Sequence, residues 1–307
     1  MSTALVLFRR DLRLLDNPAL TAACADHAQV LPVYIHEPKH DGQWAAGAAS
    51  RWWLHHSLTA LQSRLHSHHA GLHIAQGKTL ATLRKLIAES GAEAVYWNRL
   101  YEPASIARDT DIKKALQDDG IAAHSHNAAL WLEPWQIATK QGDPYRVFTP
   151  YWRNLRAQLP ASEPLPEPAL HGWKPLRGSL DLKKLKLLPD IAWDGGLAEN
   201  WRPGEQGAKE MLELFCDDAV VDYAEGRDIP ARHGTSRLSP HLHFGEISPK
   251  QIHAGLVENT RRHPICDSHP TFHWWHPFAA CAFGLCLVCG QAVLTLTQRG
   301  VALLKWG

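Results

Sequence analysis

The stretch Gly234-Thr235-Ser236-Arg237-Leu238-Ser239-Pro240 gathers three hydroxyls and one guanidinium into seven positions. Gly234 permits a tight turn. Ser239 is the expected N-cap of a helix, with Pro240 at its first position. Free N–H groups at a helix start, flanked by hydroxyls and an Arg, suit a phosphate or pyrophosphate. A plain capped helix after a turn uses the same residue types, so the residues alone leave both readings open. On the phosphate reading the loop is expected to border a cavity.

Two other groups invite a chemical reading. Phe8-Arg9-Arg10-Asp11-Leu12-Arg13 with Asp16 and Asn17 concentrates charge; taken alone it fits a surface ion-pair cluster as well as a functional one. Cys281-x4-Cys286-x2-Cys289 has the spacing of part of a plant-type iron–sulfur motif. It lacks an obvious fourth ligand beyond Cys266, and Cys often serves as a small buried hydrophobe. No metal site is assigned. Residues 278–297 carry no charge over a length that could span a bilayer, but Gly284, Gly290, Gln291 and several Thr weaken that reading.

The elements that must position these residues show as periodicity. Residues 4–8, 30–35, 72–75, 94–97 and 121–126 read as short strands, with Pro32 an objection to the second. Between them, 19–25, 48–66, 79–90 and 103–117 read as helices. Asp16-Asn17-Pro18 caps the first, and Trp53, Leu54, Leu58, Leu61 and Leu65 form a stripe on the second. This alternation predicts an α/β fold with a parallel sheet. No G-x-G-x-x-G follows the first strand, so the sheet carries no dinucleotide fingerprint. Proline and glycine crowd 155–200, which reads as a linker. Helices are expected over 204–216, with Ala208, Met211, Leu212 and Phe215 on one face, and from Ser248-Pro249 through Ile252, Leu256 and Val257.

Length and composition set the outer bounds. A chain of 307 residues, 45% apolar and 21% charged, is globular in class and long enough for two domains. A net charge of +1 gives no global nucleic-acid signature. Contact with DNA would need a local patch drawn from Arg227, Arg232, Arg237, Lys250, Arg261 and Arg262. Met1 leads straight into an apolar strand and then Arg9-Arg10, which is not a signal-peptide pattern. Six unevenly spread Cys imply no disulfide framework, so the cytoplasm is the default location.

Beyond these physical readings, Tyr223, Arg227-Asp228-x-Pro230 and GTSRLSPHLHFGEISP together resemble the flavin-binding segment of the DNA photolyase/cryptochrome family. FRRDLRLLDN resembles the opening of that family's antenna domain and stands in the expected order. Asn98-x-x-Tyr101-Glu102-Pro103 followed by Ala107-Arg108-Asp109, and Asp143-Pro-Tyr-Arg-Val-Phe-Thr-Pro-Tyr-Trp-Arg153, are similar to two further family segments. The likeness is to a class I deoxyribodipyrimidine photolyase.

The resemblance implies a Rossmann-like parallel-sheet antenna domain (1–130), an interdomain linker (131–200) and the start of an all-α FAD-binding domain (201–262). It implies FAD held by Tyr223, Thr235, Ser236, Arg237, Leu238 and Ser239, and DNA approached by Arg227. The implied activity is light-driven splitting of cyclobutane pyrimidine dimers in UV-damaged DNA by a monomeric lyase; a cryptochrome-like light sensor is the alternative. An antenna chromophore, folate or deazaflavin, is implied as well, although Ser105 stands where folate-binding relatives often carry an acidic residue. Residues 263–307 match nothing in the family. Their abrupt change of composition reads as a truncated or frameshifted end, without the segments that would supply catalytic residues.

Overall fold

The computed structural model describes residues 2–38, 45–139, 141–158, 163–170 and 175–262. The readings placed on 263–307, including the cysteine spacing and the uncharged stretch, lie outside these residues.

Five parallel strands form one sheet in the order β3-β2-β1-β4-β5. They are β1 (Thr3–Phe8), β2 (Gln29–His36), β3 (His73–Gln76), β4 (Ala94–Asn98) and β5 (Ala122–His126). The helices between them are α1 (Pro18–Asp26), α2 (Ala48–Ser67), α3 (Thr79–Ser90) and α4 (Pro103–Asp118). All six residues of β1 are buried, as expected of a central strand covered on both faces. Its side chains alternate between two cores. Ala4, Val6 and Phe8 meet α1 and α2 through Leu20, Trp52, Leu58, Leu61 and Leu65. Leu5 and Leu7 meet α3 and α4 through Leu83, Leu86, Ile112 and Leu116. Asn17 caps α1 as expected, accepting from Leu20 N at 3.2 Å.

Pro32 is tolerated because it pairs with Val6 of β1 but stands just before Val33, where β3 begins to pair. The linker region does more than tether. Leu180 N donates to Ile74 O at 2.8 Å along the β3 edge, and Leu182, Leu185 and Leu187 enter the core beside α2. A helix, α5 (Phe148–Gln158), packs Tyr151 and Leu155 against Trp131 and Ile137 in a small separate cluster.

Past α6 (Gly195–Asn200), a helical unit follows: α7 (Glu205–Leu214), a π turn at Phe215–Ala219, α8 (Tyr223–Gly226), α9 (Ser239–His243) and α10 (Pro249–Arg262). Ala208, Leu212, Phe215, Ile252 and Leu256 form its core. Val257, expected on the apolar face of α10, is exposed; one residue beyond Leu256 it is turned by about a quarter of a helical circle. Ser248 and Gln251 form a reciprocal cap at the start of α10, at 2.7 and 3.1 Å.

Candidate functional site

Tyr223 and Arg227 lie one turn apart, with the guanidinium carbon 5.7 Å from the tyrosine ring centroid. This turn abuts the hydroxyl-bearing loop at Gly234, where any Cβ would collide with the Gly226 backbone. Within the loop the residues divide by direction. Gly234, Ser236 and Leu238 are buried, whereas Thr235 and Ser239 are exposed. Leu238 is part of the helical core, so its side chain anchors the loop. Ser236 Oγ accepts from Leu238 N at 3.4 Å. Arg237 adopts a left-handed φ of 53°, uncommon outside glycine, and its guanidinium stacks 4.2 Å above the Trp201 ring.

Two expectations are corrected by this geometry. The helix begins at Ser239, with Leu238 in the cap position and Pro240 second, so Ser239 is its first residue and not its cap. None of Thr235–Ser239 lines any of the three principal clefts of the described residues. The hydroxyls of Thr235 and Ser239 face outward.

The segment just after the loop is buried and strongly tied. Glu246 is fully buried and accepts from Trp53 Nε1 of α2 at 2.9 Å and from the His241 ring at 2.5 Å. Phe244 stacks on Trp53 with centroids 6.1 Å apart. Leu12 N donates to Phe244 O at 3.1 Å. The Arg13 guanidinium, only 1% exposed, donates to the carbonyls of Leu15, Asp16, Ala128 and Gly245. The Ser248 hydroxyl donates to Asp16 Oδ2.

The arginine-rich motif is therefore a surface cluster only at its Arg10–Glu102 pair. Arg9 pairs with Asp109 at 2.7 Å, Arg10 pairs with Glu102, and Arg13 joins the sheet layer to the helical unit. Asp11 is buried beneath them. Burial raises its pKa, opposed by hydrogen bonds from Arg9 N and the Asn98 side chain.

A cleft of about 500 Å³ opens at the carboxyl ends of β1 and β2, the usual ligand position in an open parallel sheet. Arg9, Tyr34, Glu37 and Ser50 line it, with Arg108 from α4 and His243 and Phe244 from the end of α9. Arg9 Nε and Arg108 Nη2 are buried and make no hydrogen bond among the described residues, although Arg108 Nη2 stands 3.2 Å from Asp109 Oδ1. Burial, then the neighbouring Arg9 charge, lowers the pKa of Arg108 against the pull of Asp109. Guanidinium N–H groups with hydrogen-bonding capacity to spare in a half-closed cleft favour an anionic ligand.

Residues 4–169 match the family model for DNA photolyase. The chain belongs to the DNA photolyase family. It is 44% identical over 252 residues to the deoxyribodipyrimidine photo-lyase of Agrobacterium fabrum, covering 81% of this chain and 52% of that protein. It is 36% identical to Arabidopsis thaliana cryptochrome-2 over 258 residues, covering 81% of this chain and 42% of that one. The structure superposes on the class III photolyase of Agrobacterium tumefaciens with a TM-score of 0.80 at 43% identity, over 86% of this chain and 54% of the other. The class I expectation gains no support from this class III likeness. The chain spans about half the length of the curated relatives it matches.

In this photolyase-family chain, sequence reasoning found the loop but missed what fixes it. Trp53 was read only as part of the α2 stripe, and its bond to Glu246, 193 positions away, carried no local signal. The cleft was equally hidden. Its Arg9 and Arg108 sat in segments already noted for their family likeness, whereas Tyr34 and Glu37 looked like ordinary strand-end residues.

Proposed function

We propose that this chain is the cofactor-gripping front portion of a light-driven DNA repair enzyme acting on cyclobutane pyrimidine dimers. Thr235 and Ser239 offer outward hydroxyls to the diphosphate of FAD, Arg237 neutralises it, and Tyr223 borders the same turn. Ser236 and Leu238 hold the loop from beneath. Arg227 would meet a phosphate of UV-damaged DNA when that substrate binds. When bound, FAD supplies the photochemical electron for opening the dimer. The chain's own share is to position the flavin and carry its charge. Residues 1–130 act as the antenna layer, 131–200 as the connection and 201–262 as the flavin-binding beginning of a helical domain.

The observation that carries this reading is the division of the loop. Buried Ser236 and Leu238 fix a backbone from which Thr235 and Ser239 project outward. The cleft at the strand ends is proposed as the seat of the antenna chromophore, its underused guanidinium N–H groups meeting an anionic group on a planar ring system. Ser105, in the cleft wall, favours a deazaflavin or a flavin over a folate. The light-sensor alternative has no observation of its own among the described residues.

Titration with FAD, read by quenching of flavin fluorescence, tests the grip. Binding is expected to be weak, because the groups in this loop reach the diphosphate and not the ring system. Arg237→Ala is expected to weaken it by about tenfold, the loss of one charge-assisted contact. FAD binding indifferent to Arg237 would sink the assignment. Dimer repair in light and in darkness then separates the repair enzyme from the sensor.

A further inference from the structure

Two residues of the cleft stand at the far end of the helix that begins in the hydroxyl loop. His243 and Phe244 line the cleft. They also end α9, which starts at Ser239 of the hydroxyl loop. With five residues, α9 is too short to hold its shape alone, so its position is set by what it is tied to.

Its ties are the walls of the cleft. The motif that places Arg9 and Arg10 in the cleft also binds Phe244 O through Leu12 N and Gly245 O through Arg13. The helix that places Ser50 and Leu54 in the cleft also carries Trp53, which stacks on Phe244 and donates to Glu246. A ligand wedged between these walls restrains both of these ties together.

We propose that a planar anionic ligand seated in the cleft positions the flavin segment, with His243 and Phe244 as the positioning residues that couple the two sites. This rests on reading the cleft as a chromophore site. Linkage makes the coupling reciprocal: FAD on the loop tightens the cleft for its ligand by the same factor.

Hydrogen exchange of the full chain, with and without saturating FMN as the probe, tests the coupling. The reporters are the amides of Leu242, Phe244 and Glu246, bonded to Leu238 O, Pro240 O and His241 O at 2.9, 3.0 and 2.8 Å. Their exchange is expected to slow by about tenfold, a typical coupling factor, while the amides of β5 are unchanged. Arg108→Gln, on the opposite wall, is expected to abolish both FMN binding and the slowing. FMN that binds without slowing these amides overturns the coupling and leaves the cleft reading intact. Slowing that is uniform along the chain, or that survives Arg108→Gln, also overturns it. FMN that does not bind overturns both.

Discussion

Trp53 Nε1 donates to Glu246 Oε1 at 2.9 Å, joining residues 193 positions apart at the buried seam between α2 and the segment that follows the hydroxyl loop. The carboxyl has no contact with solvent. Trp53→Phe keeps an aromatic ring but leaves that oxygen without its donor. An orphaned buried acceptor costs about 1–3 kcal/mol, and urea denaturation should show a loss of that size. An unchanged midpoint would mean that the bond contributes nothing.

Arg13 serves four carbonyl oxygens from a site with almost no solvent access. Lysine brings only three donors on one nitrogen and cannot reproduce the guanidinium fork. Arg13→Lys is therefore expected to lower stability by about 2 kcal/mol or more. Because Ala128 and Gly245 lie on different elements, the variant should also become more susceptible to proteolysis around 128–165. A wild-type digestion pattern would speak against this junction.

Gly245 has a φ of +65°, and a Cβ there would strike the Arg10 carbonyl. Strain and collision act together in Gly245→Ala, with the conformational part alone costing about 1–3 kcal/mol. Calorimetry should show a clearly lower Tm. Gly91→Ala is the control: its φ is +68° but nothing lies near the added methyl, so it bears the conformational cost alone and should lose less.

Seven of the described histidines, at 36, 55, 56, 73, 126, 243 and 253, have pKa values lowered chiefly by burial. A lowered folded-state pKa means that the unfolded chain binds more protons as pH falls through the ordinary histidine range. Stability therefore rises with pH there and is lost on acidification. The urea midpoint should fall between pH 7.5 and pH 5.5. Asp11 and Glu205, whose pKa values burial raises, work in the opposite direction and set the size of the net fall. A flat profile from 7.5 to 5.5 would refute the histidine account.

Most of the sheet layer was legible in the chain. Strand alternation, the Asn17-Pro18 cap and the α2 stripe are local signals, decided by residues within a turn or a pleat of one another. Two of the errors were also local in kind. The start of α9 moved by one residue because a Leu at the cap position gave no cue. Val257 lost its expected burial because the core of the helical unit took Ile252 and Leu256, four residues apart, and left the next position outside.

Residue type and short-range period were enough to settle which groups the hydroxyl loop offers and that a parallel α/β layer precedes it. Tertiary structure alone decided that Arg13 is buried rather than displayed, that Glu246 answers to Trp53, and that one five-residue helix stands between a cleft and the loop. Those facts depend on which distant segments share a core, and burial then turns an ordinary charge into a costly group that must find its partners.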